Sequence, residues 1–411
     1  MPTEKPIRID EEKRKIEPFK KFALEKEAHL GNVALAYATW GNPIIKEEFK
    51  KHHLHHLSEE KRANLAEFID GSGFSGGYSY PKDVNITSEA VQEQQVDHAV
   101  MLIRKLLDMR EWKAVDQLII SSASSSPKII DEVRAKLEEE GVTIGEMQFY
   151  GLYCAGASAA FIDSLRDYDP ALQNQQDKKT ITIGIESLGG KQSSKQPEVN
   201  WLFGNAASGI AYIPGEEIEH ICGETRIDQD TEGVISLPKA FDLPDSSQQL
   251  PPPPWYSFGE GAQNIFARTL RGAFLVLTKS SKFASMEVSK TFKYFKRRAT
   301  PIILNTLKKY YEKFTEIYGA LGESCSHHPS LGVLEGLNHG LDKECEKMGI
   351  PKPPINWQME GLGINNVSAA TFFVVMTKMI EDKKINFNIP FMALGLGIGS
   401  TIHTDIIRFI Q

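Results

Sequence analysis

The sequence predicts an α/β protein. Short apolar runs with strand character recur along the chain, longer stretches with helical periodicity lie between them, and clusters of Gly, Pro and Ser separate the two. The first 70 residues are rich in Lys, Glu and His, with residues 46–68 a candidate helical stretch. Residues 71–86 (GSGFSGGYSYPKDVNI) read as a loop, and residues 89–107 as an amphipathic helix. A buried strand follows at 117–121 (QLIIS), then a loop (SSASSS), then a helix over 127–140 with Pro127 near its start. A strand at 147–150 leads into YCAGASAAFIDSL. Residues 181–186 (ITIGIE) and the Gly/Ala-rich 202–213 (LFGNAASGIAYI) read as two more strands.

In residues 243–255, four consecutive prolines, Pro251 to Pro254, exclude regular structure and give a stiff, extended segment. Its rigidity beside Trp255 and Tyr256 suits either a surface loop or a flap over a pocket. Beyond it, 274–278 is strand-like, 286–318 helical apart from Pro301, 326–348 helical after a loop, 370–380 helical and 391–398 strand-like. The two halves share a rhythm of elements without a residue-level repeat.

Composition narrows the classes of function. A chain of 411 residues can bury a large core. A net charge of -7 argues against a nucleic-acid partner. The N-terminal stretch is charged throughout, so no secretory signal is expected, and no run approaches the roughly 18 apolar residues of a membrane span. Cys154, Cys222, Cys325 and Cys345 form no CxxC pair, so the expected compartment is the reducing cytoplasm. His52, His53, His55 and His56 crowd five residues, but neighbours on a helix point apart. That run predicts a solvated face, and no metal site is expected.

Four segments carry the candidate chemistry. In the first, Cys154 follows a strand and is followed by small residues that open an apolar helix. A thiol there feels the positive end of the helix dipole, which favours the thiolate. The others are Cys325-Ser326-His327-His328-Pro329-Ser330, the Asn365-Asn366-Val367-Ser368-Ala369-Ala370 loop into a helix, and the glycine-rich Gly395-Leu396-Gly397-Ile398-Gly399 turn.

Together and in this order, the segments resemble the ketoacyl-ACP synthase III branch of the thiolase superfamily. Cys154-Ala155-Gly156 looks like its nucleophile segment, and Phe203-Gly204-Asn205-Ala206-Ala207 is similar to its Phe-Gly-Asp-Gly-Ala strand. Asn366-Val367-Ser368-Ala369-Ala370 resembles its Asn-Thr-Ser-Ala-Ala segment. The late glycine turn is similar to that of plant-type polyketide synthases. The resemblance runs from about residue 75 to the end. Three departures stand out: Asn205 replaces an Asp, the chain is longer than a compact synthase III, and the histidine segment reads His327-His328-Pro329-Ser330. Register on Ser330 and Glu335 makes His327, rather than His328, the counterpart of the catalytic histidine.

The resemblance implies a thiolase fold: two pseudo-symmetric halves stacked as five layers, α-β-α-β-α. It divides the chain into a part-helical extension (1–70), a half with the nucleophile (71–222) and a half with His327, Asn366 and the glycine loop (223–411), the boundary lying near 214–230. It implies a homodimer, with the strand at 118–120 or the Phe203 region close to the two-fold axis. The implied chemistry starts with acylation of Cys154 from an acyl-CoA or acyl carrier protein, the oxyanion being held by Cys154 and the loop Gly397, Ile398, Gly399. A second thioester, expected to be malonyl, then condenses with the acyl group while His327 and Asn366 hold the enolate. The only cofactor expected is the CoA or phosphopantetheine carried by the substrate. A plain acyl partner would need a general base, for which Glu89 and Glu93 are candidates by position. An acyltransferase passing the acyl group to oxygen or nitrogen is the alternative. Lys290, Lys293, Lys296, Arg297 and Arg298 crowd one stretch that suits an acidic carrier or CoA phosphates, or is simply a solvated helix face.

Overall fold

The computed structural model describes residues 22–55, 57–79, 88–151, 153–172, 175–188, 197–227, 235–236, 285–286, 288–327, 329–353, 363–397 and 401–411. The chain opens with strands β1 (Leu24–Leu30), β2 (Val33–Thr39) and β3 (Asn42–Ile45), then helices α1 (Lys46–Leu54) and α2 (Glu59–Gly71) and strand β4 (Gly76–Ser79). An α/β run follows: α3 (Ser88–Met109), β5 (Ala114–Ser121), α4 (Ile129–Glu139), β6 (Thr143–Tyr150), a 3-10 turn (Tyr153–Ala155), α5 (Gly156–Arg166), β7 (Thr180–Ser187), α6 (Pro197–Leu202) and β8 (Asn205–Tyr212). The second half holds β9 (Ile218–Ile227), β10 (Ile235–Ser236), β11 (Ser285–Met286), α7 (Val288–Lys313), α8 (Thr315–Tyr318) and β12 (Cys325–Ser326). It closes with α9 (Leu331–Met348), a 3-10 turn (Ser368–Ala370), α10 (Thr371–Glu381), β13 (Phe391–Leu396) and β14 (Thr401–Phe409).

Two sheets organise the molecule. The first runs β1-β2-β8-β7-β5-β6, parallel between β7, β5 and β6 and antiparallel elsewhere. The second runs β12-β13-β14-β9, with only the β12–β13 pair parallel. Burial follows from sequence. Every residue of β7 and β8 is buried, as expected of strands covered on both faces. Helix α10 (TFFVVMTKMIE) is apolar nearly all round and sits between the sheets with α5. Helix α4 buries only Ile129, Val133 and Leu137, one stripe, and lies on the outer face of the first sheet beside α3. Helices α7 and α9 cover the outer face of the second sheet. The result is the expected five-layer thiolase fold, α-β-α-β-α, with Cys154 and Asn366 in the central layer.

Several expectations need correction. β1 and β2 are strands of the first sheet, so residues 24–39 belong to that half and not to an extension. β2 (VALAYAT) alternates small and apolar residues and is buried throughout, whereas β1 (LEKEAHL) is largely charged and exposed; Gly31, at φ 60°, turns the chain between them. The 46–68 stretch is two helices broken before Ser58. β4 forms inside residues read as a loop, because glycines that suit a turn also allow β4 to pair tightly with β3. The 222/223 boundary falls within β9; the sheets separate at the turn between β8 and β9. The 202–213 strand begins only at Asn205, since Leu202 ends α6. α7 runs unbroken through Pro301, which is exposed to solvent. Cys325–Ser326 is a strand, and the helix after it starts at Leu331. Within the first sheet β5 is interior, and the edge strand beyond it, among the described residues, is β6. Residues 243–255 and 274–278 lie outside the described residues.

Candidate active site

Cys154 sits in the 3-10 turn that opens α5, two residues before the helix proper. It is buried, and its Sγ accepts a hydrogen bond at 3.2 Å from Ser368 Oγ. Ser368 lies in the second half, in the turn before α10, with φ 49°. A non-glycine residue in the left-handed region costs on the order of 1 kcal/mol, and such strain collects at functional turns. Here the surroundings over-determine it. The Ser368 N–H donates to Asn366 Oδ1 at 2.8 Å, and Gly184 in β7 lets the turn approach, since a Cβ there would meet the Ala369 carbonyl oxygen at 2.5 Å.

Asn366 is held on both sides. Its N–H donates to the Leu202 carbonyl, and its own carbonyl accepts from the Gly204 N–H, bridging it to Phe203. Its Oδ1 accepts from Ser368 N–H and from Thr371 Oγ1 at 3.1 Å, so the amide orientation is fixed. Nδ2 therefore faces the histidine segment and donates to the Pro329 carbonyl at 3.4 Å. His327 is buried at the end of β12, its N–H bonded to the Leu394 carbonyl. His328 lies outside the described residues. Ser330 is the N-cap of α9 and accepts from Val333 N–H, which is a structural role.

The glycine loop is only partly as expected. The Gly397 N–H donates at 2.7 Å to the Thr401 carbonyl, closing the β13–β14 hairpin, so it is not available to an oxyanion. Ile398 and Gly399 lie outside the described residues. Gly397 still touches the Cys154 turn, since a Cβ on it would meet Ala155 Cβ at 2.9 Å. Asn205, the departure from the family's Asp, is fully buried and donates to the Trp40 carbonyl at 3.5 Å.

Sequence reasoning missed Glu186. This residue at the end of β7 is fully buried and accepts from Ala123 N–H at 2.7 Å, Ser124 N–H at 3.1 Å and Ala369 N–H at 3.2 Å. Burial, against the pull of those donors, pushes its carboxyl up to about 7. It ties the loop after β5 to the turn holding Ser368. A carboxylate ending an otherwise apolar strand (ITIGIE) was the available signal.

The other cysteines differ in kind. Burial pushes the Cys222 thiol up to about 11 and the Cys325 thiol higher still, and raises Cys345 as well. Glu93 is exposed on α3, on the outer face of the first sheet, and is not brought to the site of its own chain. The Glu89 side chain is outside the described residues, as are those of Lys290, Lys293 and Lys296; Arg297 is exposed on α7 and Arg298 half-buried. No group of three or more His, Cys, Asp or Glu among the described residues is arranged to hold a metal ion, and no described helix is long and apolar enough to cross a membrane.

No family model and no curated protein matches the sequence. The fold is matched widely. The 3-oxoacyl-[acyl-carrier-protein] synthase III of Aquifex aeolicus aligns at a TM-score of 0.57 and 15% identity, over 91% of this chain and 98% of that one. The priming β-ketosynthase of a polyketide biosynthetic pathway aligns at 0.58 and 12%, over 99% of both chains. A variant of OleA from Xanthomonas campestris aligns at 0.59 and 11%, over 91% of this chain and 96% of that one. The chain thus shares the fold of these proteins.

Proposed function

We propose that the protein is a condensing enzyme of the ketoacyl synthase III type. It would take an acyl group from a CoA or carrier-protein thioester onto Cys154 and join it to a second thioester, most simply malonyl. One observation carries this reading: Cys154 Sγ is in contact with the Asn366–Ala370 turn from the other half, whose Asn366 amide faces the His327 segment. In that reading the thiolate attacks the thioester without an external base. Loss of carbon dioxide then supplies the carbanion, and the Asn366 amide with His327 holds the enolate oxygen. CoA or phosphopantetheine enters with the substrate, and the basic stretch on α7 receives the acidic carrier. A second copy would pair along β6, the half-exposed edge of the first sheet among the described residues.

Intact-protein mass spectrometry with a panel of acyl-CoAs tests the first step. The expected result is one acyl adduct on Cys154, absent in Cys154→Ser; an adduct that persists in that variant removes the nucleophile assignment. A second reading, transfer of the acyl group to oxygen or nitrogen or condensation with a plain acyl thioester, needs a base. Glu186 favours it, as a buried carboxyl titrating near neutrality beside the Ser368 turn. Product analysis with malonyl, acetyl and alcohol acceptors separates the two.

A further inference from the structure

A buried polar chain behind the nucleophile is used by none of these steps. Asp405 and His403 lie two residues apart on β14, facing α5, and both are fully buried. Asp405 Oδ1 accepts from His220 Nε2 at 2.9 Å and from Arg166. Burial alone would raise its carboxyl, but those donors, with His403, hold it well below the usual carboxylate range. Its Oδ2 accepts from His403 Nδ1 at 3.1 Å. His403 Nε2 lies 2.7 Å from Ser158 Oγ, and Ser158 gives its one hydroxyl hydrogen to the Ala155 carbonyl at 3.0 Å. His403 thus joins Ser158 to the Asp405 carboxylate through its two ring nitrogens.

The order Asp–His–Ser is that of a hydrolytic triad, but the site is closed. Ser158 is fully buried, and the backbone of Gly395 lies against the pair: a Cβ there would stand 2.1 Å from His403 Nε2 and 2.9 Å from Ser158 Oγ. No acyl group fits at that hydroxyl. What the chain reaches is Ala155, the last residue of the turn that presents Cys154. Ala155 is held from its other side by Gly397. The Cys154 turn and the β13–β14 hairpin come from different halves and meet where Gly397 lies against Ala155.

We propose that Ser158, His403 and Asp405 are positioning residues that lock the Cys154 turn in register with the β13–β14 hairpin. The inference rests on Cys154 being the acylated residue. A misplacement of about 1 Å costs up to 10²-fold in rate, which sets the scale.

The test compares Ser158→Ala, His403→Gln and His403→Asn, each checked by thermal unfolding. A Gln amide nitrogen reaches the place of Nε2 and keeps the bond to Ser158; an Asn amide reaches only the place of Nδ1. Single-turnover acylation by an acyl-CoA and alkylation of Cys154 by iodoacetamide are both followed by mass. Ser158→Ala and His403→Asn should slow both by about 10-fold or more, with His403→Gln within about threefold of the parent. Unchanged rates in Ser158→Ala, or equal losses in the two His403 variants, would overturn the proposal. If acyl-CoA fails to label the parent protein, the functional reading falls, and the order of alkylation rates still decides the positioning role.

Discussion

Cys154 and Ser368 stand 214 positions apart and meet at 3.2 Å. Side-chain chemistry at that meeting point yields three predictions. Asn366 uses Oδ1 to build its own turn and Nδ2 to face the histidine segment. Asn366→Asp keeps the acceptor and loses the donor. It should still form acyl-Cys154, with condensation falling by about 10²-fold or more, the scale of losing one oxyanion donor; normal condensation would place the carbanion's support elsewhere. Cys154 should be alkylated by iodoacetamide before Cys222, Cys325 and Cys345, whose thiols burial holds protonated at neutral pH. Peptide mapping after brief labelling checks the order. For Glu186, the folded state keeps a proton that the unfolded chain releases above pH 4.5. The stability from this group is fully present below pH 4.5 and is lost as pH rises through about 7. Glu186→Gln removes that slope, so urea unfolding should show the variant gaining about 3 kcal/mol relative to the parent between those limits. Parallel curves would mean that Glu186 is ionised throughout.

Among the elements, the helices that frame the site show which local rules hold. Ser330, three residues after His327, caps α9 with a 3.5 Å bond, and Gly349 ends that helix at φ 64°. Ser330→Ala should cost about 1 kcal/mol in denaturant titration, with no specific loss in acylation. Pro301 has no N–H to give to the preceding turn inside α7. The helix continues because Ile302, Ile303 and Leu307 are fully buried in the cluster covering the second sheet. Propensity placed a break there, and tertiary packing overrode it.

Across the molecule, three hydrophobic clusters fill the spaces between the five layers. The central one holds both halves together around α5 and α10, so the site forms only when both halves fold. The exposed edge β6 predicts a dimer by strand pairing. Light scattering at micromolar concentration should give twice the chain mass, and Gln148→Pro, which deletes an edge N–H, should shift it toward the monomer. A monomeric parent protein would remove that arrangement.

Much was legible in the sequence because it is local. Continuous apolar runs marked β5 and β7, an amphipathic pattern marked α3, a proline near its start marked α4, and small residues after Cys154 marked the turn that holds it. The order of four motifs then gave the architecture. What stayed hidden depends on neighbours distant in sequence. β2 is a strand because β8 pairs with it, and β1 because it pairs with β2. Glu186 is a neutral-range acid because burial strips its solvent, and the Gly397 amide is spent because Thr401 folds back onto it. Ser158, His403 and Asp405 read singly as ordinary core polars; the second sheet lays β14 against α5 and makes them one chain. Periodicity and propensity act over a few residues, so the elements and the Cys154 turn can be read along the chain. Hydrogen bonding and desolvation act through space, so which polar groups share a site, and in what state each is held, follows from the packing of the two halves.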